Sequence, residues 1–466
     1  FSDNAEYRVR IGTYGDATAV DVVSVAGNVD LGGSKVFYGV DDGETHLLAP
    51  ARVKVAALNG NLSGGIAQAP AAGGQLDLLA AGTIALDTTG IKQLDVPASA
   101  LPSLTNPVKD VNFRLLGLLT AAPASKHSAT PWHQAGEAPS RLIALTGDIR
   151  GEGGQDNYSE FSEPVQVAAG GAVRDLNLSI QHPDARSVST LSAGGDIAYG
   201  TNGGLFPSKG LIVHGPGRLE VTAGGSVDLA DSRGITTKGN LENPYLPEGG
   251  AAIAVLAGTR APDYAGFVRY LQDNALAVGD DTSPLGLRNR FFKLLQDTGE
   301  EAIAARAAGG TQAAAAVYAK ARAAIGALFP STAVADAAID LFYSAIKTEQ
   351  GGAIDLFAPG GGITVGIANP SSTIPAKKAA DQGLFTFRGG PIRAFTRDSF
   401  LVNQSRVFTL DGGDILVWAD RGNIDAGSGA KTVSATPPPV LVVRGGQIIL
   451  DASNSVSGSG IGVLAS

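Results

Sequence analysis

A short unit built around glycine recurs along this chain. It appears as Gly74-Gln75-Leu76-Asp77-Leu78-Leu79-Ala80-Ala81-Gly82-Thr83-Ile84, and again as Gly413-Asp414-Ile415-Leu416-Val417-Trp418-Ala419-Asp420-Arg421-Gly422-Asn423-Ile424. Further copies, some truncated, begin at Gly171, Gly195, Gly225, Gly250, Gly352 and Gly446, and segments 23–29, 53–62 and 142–149 keep the strand-glycine-strand pattern without a doublet. Glycine supplies 63 of 466 residues, about twice its usual share. Side chains alternate along a strand, so Leu76, Leu78, Ala80 and Ile84 face one side while Asp77 and Thr83 face the other. Each unit therefore has an inside and an outside. Glycine turns the corner at positive φ, and the alanine before it fits where two walls converge. Such a unit cannot satisfy its own amides and must pair with the next copy. The pattern predicts an all-β solenoid, a right-handed parallel β-helix. An antiparallel sandwich of hairpins is the competing reading. It would favour Asn-Gly or Asp-Gly turns, and most copies carry Ala-Gly-Gly instead.

Roughly 330 residues in coils of about 22 would give about 15 coils, a rod of about 70 Å at the usual strand spacing. The β-helix is expected over residues 1–260 and again over 350–466. Two stretches break the pattern. Residues 88–140 contain Pro97, Pro102, Pro107, Pro123, Pro131 and Pro139, which excludes central strand. They read as a Pro-rich loop on the flank, anchored by the apolar run 115–119, with Trp132 and His133 as a pair that could meet a ligand or pin the loop. Over 261–349 the apolar period changes to 3.6. Stripes run through Phe267, Tyr270 and Leu271; Leu287, Phe291, Leu294 and Leu295; Val317, Ile325 and Leu328; and Val334, Leu341 and Ile346. Asp263, Ser283 before Pro284, Thr311 and Ser331 sit where N-caps belong. This predicts an α-helical insertion of four or five helices, with Arg288, Arg290 and Lys293 on a solvated or anion-facing surface.

Composition narrows the function. A net charge of −9 opposes binding to nucleic acid, whose phosphates call for a basic face. No run of 18 apolar residues occurs, so no helical membrane span is expected. The chain has no cysteine and no methionine, even at position 1, and it opens and closes on strand-like segments. It reads as a processed or trimmed piece whose open ends stack on another copy or another chain.

A search for chemistry returns little. Paired carboxylates for glycoside hydrolysis should stack on adjacent coils, whereas Asp41-Asp42 and Asp280-Asp281 lie beside glycines in turn-like contexts, weak even as calcium sites. The histidines at 46, 127, 133, 182 and 214 lack metal-ligand spacing. There is no nucleophile elbow. No catalytic, cofactor or metal residues are assigned.

Three segments carry a resemblance. The run 132–149, the run 215–229 and above all Gly412 to Pro439, with Gly-Gly-Asp-Ile-Leu-Val-Trp and Asp-Ala-Gly-Ser-Gly-Ala-Lys-Thr before prolines, resemble the filamentous-haemagglutinin-like large exoproteins of Gram-negative bacteria. The likeness spans roughly residues 70–440. It implies export through a dedicated outer-membrane barrel transporter, folding outside the cell as a β-helix, and an adhesin or filament role toward a protein or glycan surface, with no catalytic residues to carry over. The family's N-terminal secretion motifs and an Arg-Gly-Asp tripeptide are absent. The alternatives are a carbohydrate-binding or carbohydrate-active β-helix, with Trp132, Trp418, Tyr199 and Tyr245 as exposed aromatics, and a subunit of a multi-chain extracellular assembly.

Overall fold

The computed structural model describes residues 8–10, 18–32, 49–87, 90–100, 105, 108–110, 127–134, 136–152, 159–200, 210–368, 382–427, 440–444, 447–451 and 459–464. Three long parallel sheets carry the fold, two of eleven strands and one of ten. Each coil after the first contributes one strand to each sheet. Gln75–Ala80, Ile84–Leu86 and Ile91–Gln93 form one such coil. Every strand of the first sheet pairs in parallel with its counterpart one coil away, which makes the molecule a parallel β-helix.

Register stacks like on like. Val22, Val55, Leu78, Leu142, Val167, Leu191, Val221, Val255, Leu356, Ala394 and Val417 form one ladder along the first sheet. The ladder is inward and, over its middle rungs, fully buried. Ala57, Ala80, Ala144, Ala169, Ala193, Ala223 and Ala257 form a second, at the end of each strand. Only a small side chain fits where the first and second sheets meet, so the alanine of the repeat has the steric role its position suggested. Each larger aliphatic rung stabilises the stack by about 1.5–3 kcal/mol through burial.

At several corners glycine is held for a reason other than the positive φ expected. Gly170, Gly194 and Gly224 do not have positive φ. A Cβ on them would lie 2.1–2.3 Å from Leu145 O, Gly170 O and Gly194 O respectively. Successive coils approach too closely there for any side chain. The expected positive φ is found at other corner glycines, such as Gly73, Gly258, Gly352 and Gly413.

The described stack has eleven coils rather than about 15, a length of about 50 Å at the usual strand spacing. Two terminal segments also depart from the coil. Arg8–Arg10 pairs antiparallel with Val108–Asp110, and the copy beginning at Gly446 is half of an antiparallel hairpin, Val440–Arg444 with Gln447–Asp451. Gly460–Leu464 then closes the third sheet beside Arg406–Leu410.

Helix occupies less of the insertion than its apolar stripes suggested. Helix α1 spans Tyr264–Asp273, and segment α2, Pro284–Leu328, is two helices that meet at Gly310, whose φ of 76° and ψ of −166° are non-helical, and fold back so that Lys320 Nζ lies 3.0 Å from Glu301 Oε1. Asp263 and Ser283 cap them, accepting from the backbone N–H of Gly266 and Gly286. Ser331 instead begins a 3-10 turn. Leu341 and Ile346 are not helical. Strands Ile339–Asp340 and Ala345–Thr348 rejoin the second and third sheets, and both residues are core. Their spacing fits a helical stripe only by coincidence with a corner between two short strands.

The helices lie on the outer face of the first sheet. Leu256, Phe357, Phe395 and Trp418 stack in register there and pack with Phe267, Leu271, Phe291, Phe292, Leu295 and Phe329. Phe291 sits at the centre, with five aromatic neighbours at ring distances of 5.5–6.3 Å.

Candidate functional site

A group of buried polar residues gathers where the 127–140 segment rejoins the first sheet. Gln68 and Gln93 end adjacent strands of the third sheet in register. Ser140 opens the strand Ser140–Ala144, and Glu163 lies on the corner between the third and first sheets. Gln93 Nε2 donates to Glu163 Oε1 at 3.0 Å and also meets Gln68 Oε1 at 3.1 Å. Ser140 Oγ donates to the same Glu163 oxygen and accepts from the backbone N–H of Leu76.

His133 enters this cluster from the loop. Its Nδ1 lies 3.1 Å from Glu137 Oε2 and 3.5 Å from Glu163 Oε2. Burial alone would lower the His133 pKa. The hydrogen bond to Glu137 and the charges of Glu163, Glu137 and Asp95 outweigh it and leave the pKa raised. Burial pushes the Glu163 carboxyl up against the opposing influence of His133, Ser140 and Gln93, while the hydrogen bond with His133 holds Glu137 down. His133 Nδ1, one oxygen of Glu137 and one of Glu163 all lie within 4.8 Å of one another, the only such group of three potential metal donors among the described residues.

A second pair lies alongside. Asp95 Oδ2 meets His127 Nδ1 at 2.9 Å and accepts from Asn243 Nδ2 at 2.9 Å. Trp132 donates its indole N–H to Val96 O at 3.0 Å. Trp132, His127 and His133 thus all tie the loop to the rod. Residues 91–96, although inside the predicted loop, are coil: Ile91–Gln93 is a ladder strand, and Leu94 and Val96 are buried. Proline begins only at 97, so nothing before it opposes strand. The apolar run 115–119, Asp41-Asp42 and His46 fall outside the described residues.

Arg288, Arg290 and Lys293 do not share a surface. Arg288 is turned inward to Glu220 Oε1 of the first sheet, at 3.1 Å, with its side chain 9% exposed. Arg290 Nε donates to Ala277 O at 2.7 Å, and Lys293 pairs with Asp297 one turn on. One helical face cannot turn all three residues outward once its apolar stripe is docked, so Arg288 faces the rod rather than solvent. Asp280-Asp281 lies just ahead of the N-cap Ser283 of α2, with Asp281 Oδ1 accepting from the backbone N–H of Ser283. A cleft of about 650 Å³ runs between α2 and the rod past Arg322, Phe329, Arg397 and Arg421, with Arg322 and Arg421 held by Asp420.

Three of the four aromatics expected at the surface are engaged. Tyr199 is buried with its hydroxyl on Leu176 O, Trp132 is half-buried, and Trp418 packs on Tyr318 of α2 at 6.1 Å. Only Tyr245 is exposed, at 42%. Glu137 and Glu163 escaped the sequence reading. His133 and Glu137 form a His-x3-Glu spacing that was open to notice, but Glu163 reaches them only because one coil brings it alongside.

Fold and cluster together define a parallel β-helix scaffold with three helices docked on one wall. Its C-terminal region, residues 412–466, matches a family model described as a filamentous haemagglutinin family outer membrane protein. This agrees with the resemblance read from the sequence, and the description places the protein at the outer membrane and cell surface of a Gram-negative bacterium. No curated protein and no solved structure matches the chain. Among the described residues no helix is long and apolar enough to cross a membrane.

Proposed function

We propose that this protein is a structural segment of a surface adhesin or filament, a stiff rod that presents its helical insertion and the 88–140 segment to a protein or glycan surface. The observation carrying this reading is the unbroken in-register stack of eleven coils with an aliphatic interior. A stack of that kind resists bending because every coil is bonded to both neighbours. The helices, docked on its wall, keep Ile303 (72% exposed) and Tyr318 (38% exposed) outward, as a contact face requires. Export through a barrel transporter and end-to-end stacking on further chains belong to the same proposal, and catalysis does not.

The test removes the helices and keeps the rod. Gly258 O accepts from Ala335 N at 2.7 Å, so a short Gly-Ser linker can replace residues 261–333. Leu256→Thr, Phe357→Thr and Phe395→Thr remove the apolar stripe this would bare. The rod is expected to keep its β circular dichroism and lose binding to cells and to a glycan array. Undiminished binding, or loss of the rod itself, overturns the proposal.

A further inference from the structure

We propose that His133, Glu137 and Glu163 bind one divalent transition-metal cation of the zinc type, which fastens the re-entering loop to the coil. Nothing in the adhesin reading requires it. One imidazole nitrogen and two carboxylates are a recurrent donor set for such ions. Tetrahedral bonds of about 2.0–2.1 Å to nitrogen and oxygen put neighbouring donor atoms about 3.3 Å apart. His133 Nδ1 stands 3.1 Å from Glu137 Oε2 and 3.5 Å from Glu163 Oε2, and the three donors lie within 4.8 Å.

The independent sign is Glu163. Its side chain is 1% exposed, and Oε2, the oxygen facing His133, accepts no hydrogen bond. A buried carboxylate oxygen without a hydrogen-bond donor is costly. The other oxygen is fixed by Gln93 and Ser140, the arrangement by which outer partners aim a ligand at its ion. Glu137, with its side chain 30% exposed, leaves a route for the cation to enter and room for water at a fourth position. The ion would take the place of the direct contact between His133 Nδ1 and Glu137 Oε2. The competing arrangement is a cation-free ion pair of imidazolium with two carboxylates, and the two differ in what they bind.

The whole chain is treated with chelator, dialysed and titrated with Zn²⁺ by calorimetry, with Co²⁺ followed by visible absorption. One Zn²⁺ per chain, a higher melting temperature with Zn²⁺ than with equal Mg²⁺, and ligand-field bands of a nitrogen-and-oxygen-bound Co²⁺ are expected. Glu163→Gln and Glu137→Gln should each weaken binding at least about tenfold, while their circular dichroism without metal matches the parent. Absence of saturable binding at one per chain, equal stabilisation by Mg²⁺, or variants that bind like the parent overturns the proposal. Should Glu163→Gln fail to fold, Glu137→Gln, altered at the solvent edge, decides alone.

Discussion

At the scale of single residues, the coil corners show that one glycine requirement can have two causes. Gly194 is needed because a Cβ would meet Gly170 O at 2.1 Å, whereas Gly326 lies in α2 with nothing within 4 Å of such an atom. Gly194→Ala is expected to destabilise by about 2–3 kcal/mol through overpacking, and Gly326→Ala to stabilise by about 0.5–1 kcal/mol through helix propensity. Urea midpoints of the two variants check the opposite signs. The corners hold a second device in which a side chain of one coil accepts from a backbone N–H of the next. Asn28 serves Asn61, Asn61 serves Thr83, Asp148 serves Ala172 and Asp196 serves Ser226, at 2.7–2.9 Å. Inside the rod, His182 is locked neutral, with Nδ1 on Pro216 O and Nε2 on Ser189 Oγ, both at 2.8 Å. Burial pulls its pKa from 6.5 to about 4, against smaller upward influences of Pro216 O and Asp184. The unfolded chain therefore takes up a proton between these values. Stability from this group is complete above pH 6.5, declines on acidification and is lost below about pH 4, a difference on the order of 3 kcal/mol. His182→Asn should flatten the melting temperature against pH across that window, and an unchanged slope would refute the assignment.

At the scale of elements, the helices and the strands beneath them form a second core, separate from the aliphatic one inside the coils. Its polar edges are ordered too. Arg393 makes a paired contact with Asp355 at 2.6 and 2.7 Å, donates to Asn289 of α2, and lies 4.9 Å from the Phe292 ring. Phe291→Ala removes the ring on which this core centres and is expected to cost about 3–5 kcal/mol. The loss should fall on the helices, because they touch the coils only from outside. Hydrogen exchange is expected to rise throughout α1 and α2 while the ladder of the first sheet stays protected. Equal loosening of both would mean that helices and rod fold as one unit.

At the scale of the whole molecule, stability passes between neighbouring coils and no farther. A polar side chain at one rung, such as Leu191→Ser, should raise hydrogen exchange in its own coil and in the two around it, with the effect fading by the ends of the rod. Loss of protection throughout would show a single cooperative body instead. This locality explains why the parallel β-helix was legible in the sequence. The inward rungs, the corner alanines and the glycine doublets are consequences of a repeating local geometry, so residues such as Leu76, Leu78 and Ile84 declare their side unaided, as do Asp263 and Ser283 as caps. What the sequence could not declare depends on which coil lies beside which. Arg288 faces Glu220 only because α2 docks on that wall, Leu341 and Ile346 become core only because strands wait on both sides, and His133 meets Glu163 only because one winding of the chain sets a corner against a returning loop. Periodicity is a property of neighbours along the chain and can be read from it. Contacts between residues tens of positions apart follow from the stacking of coils, and the fold alone decides them.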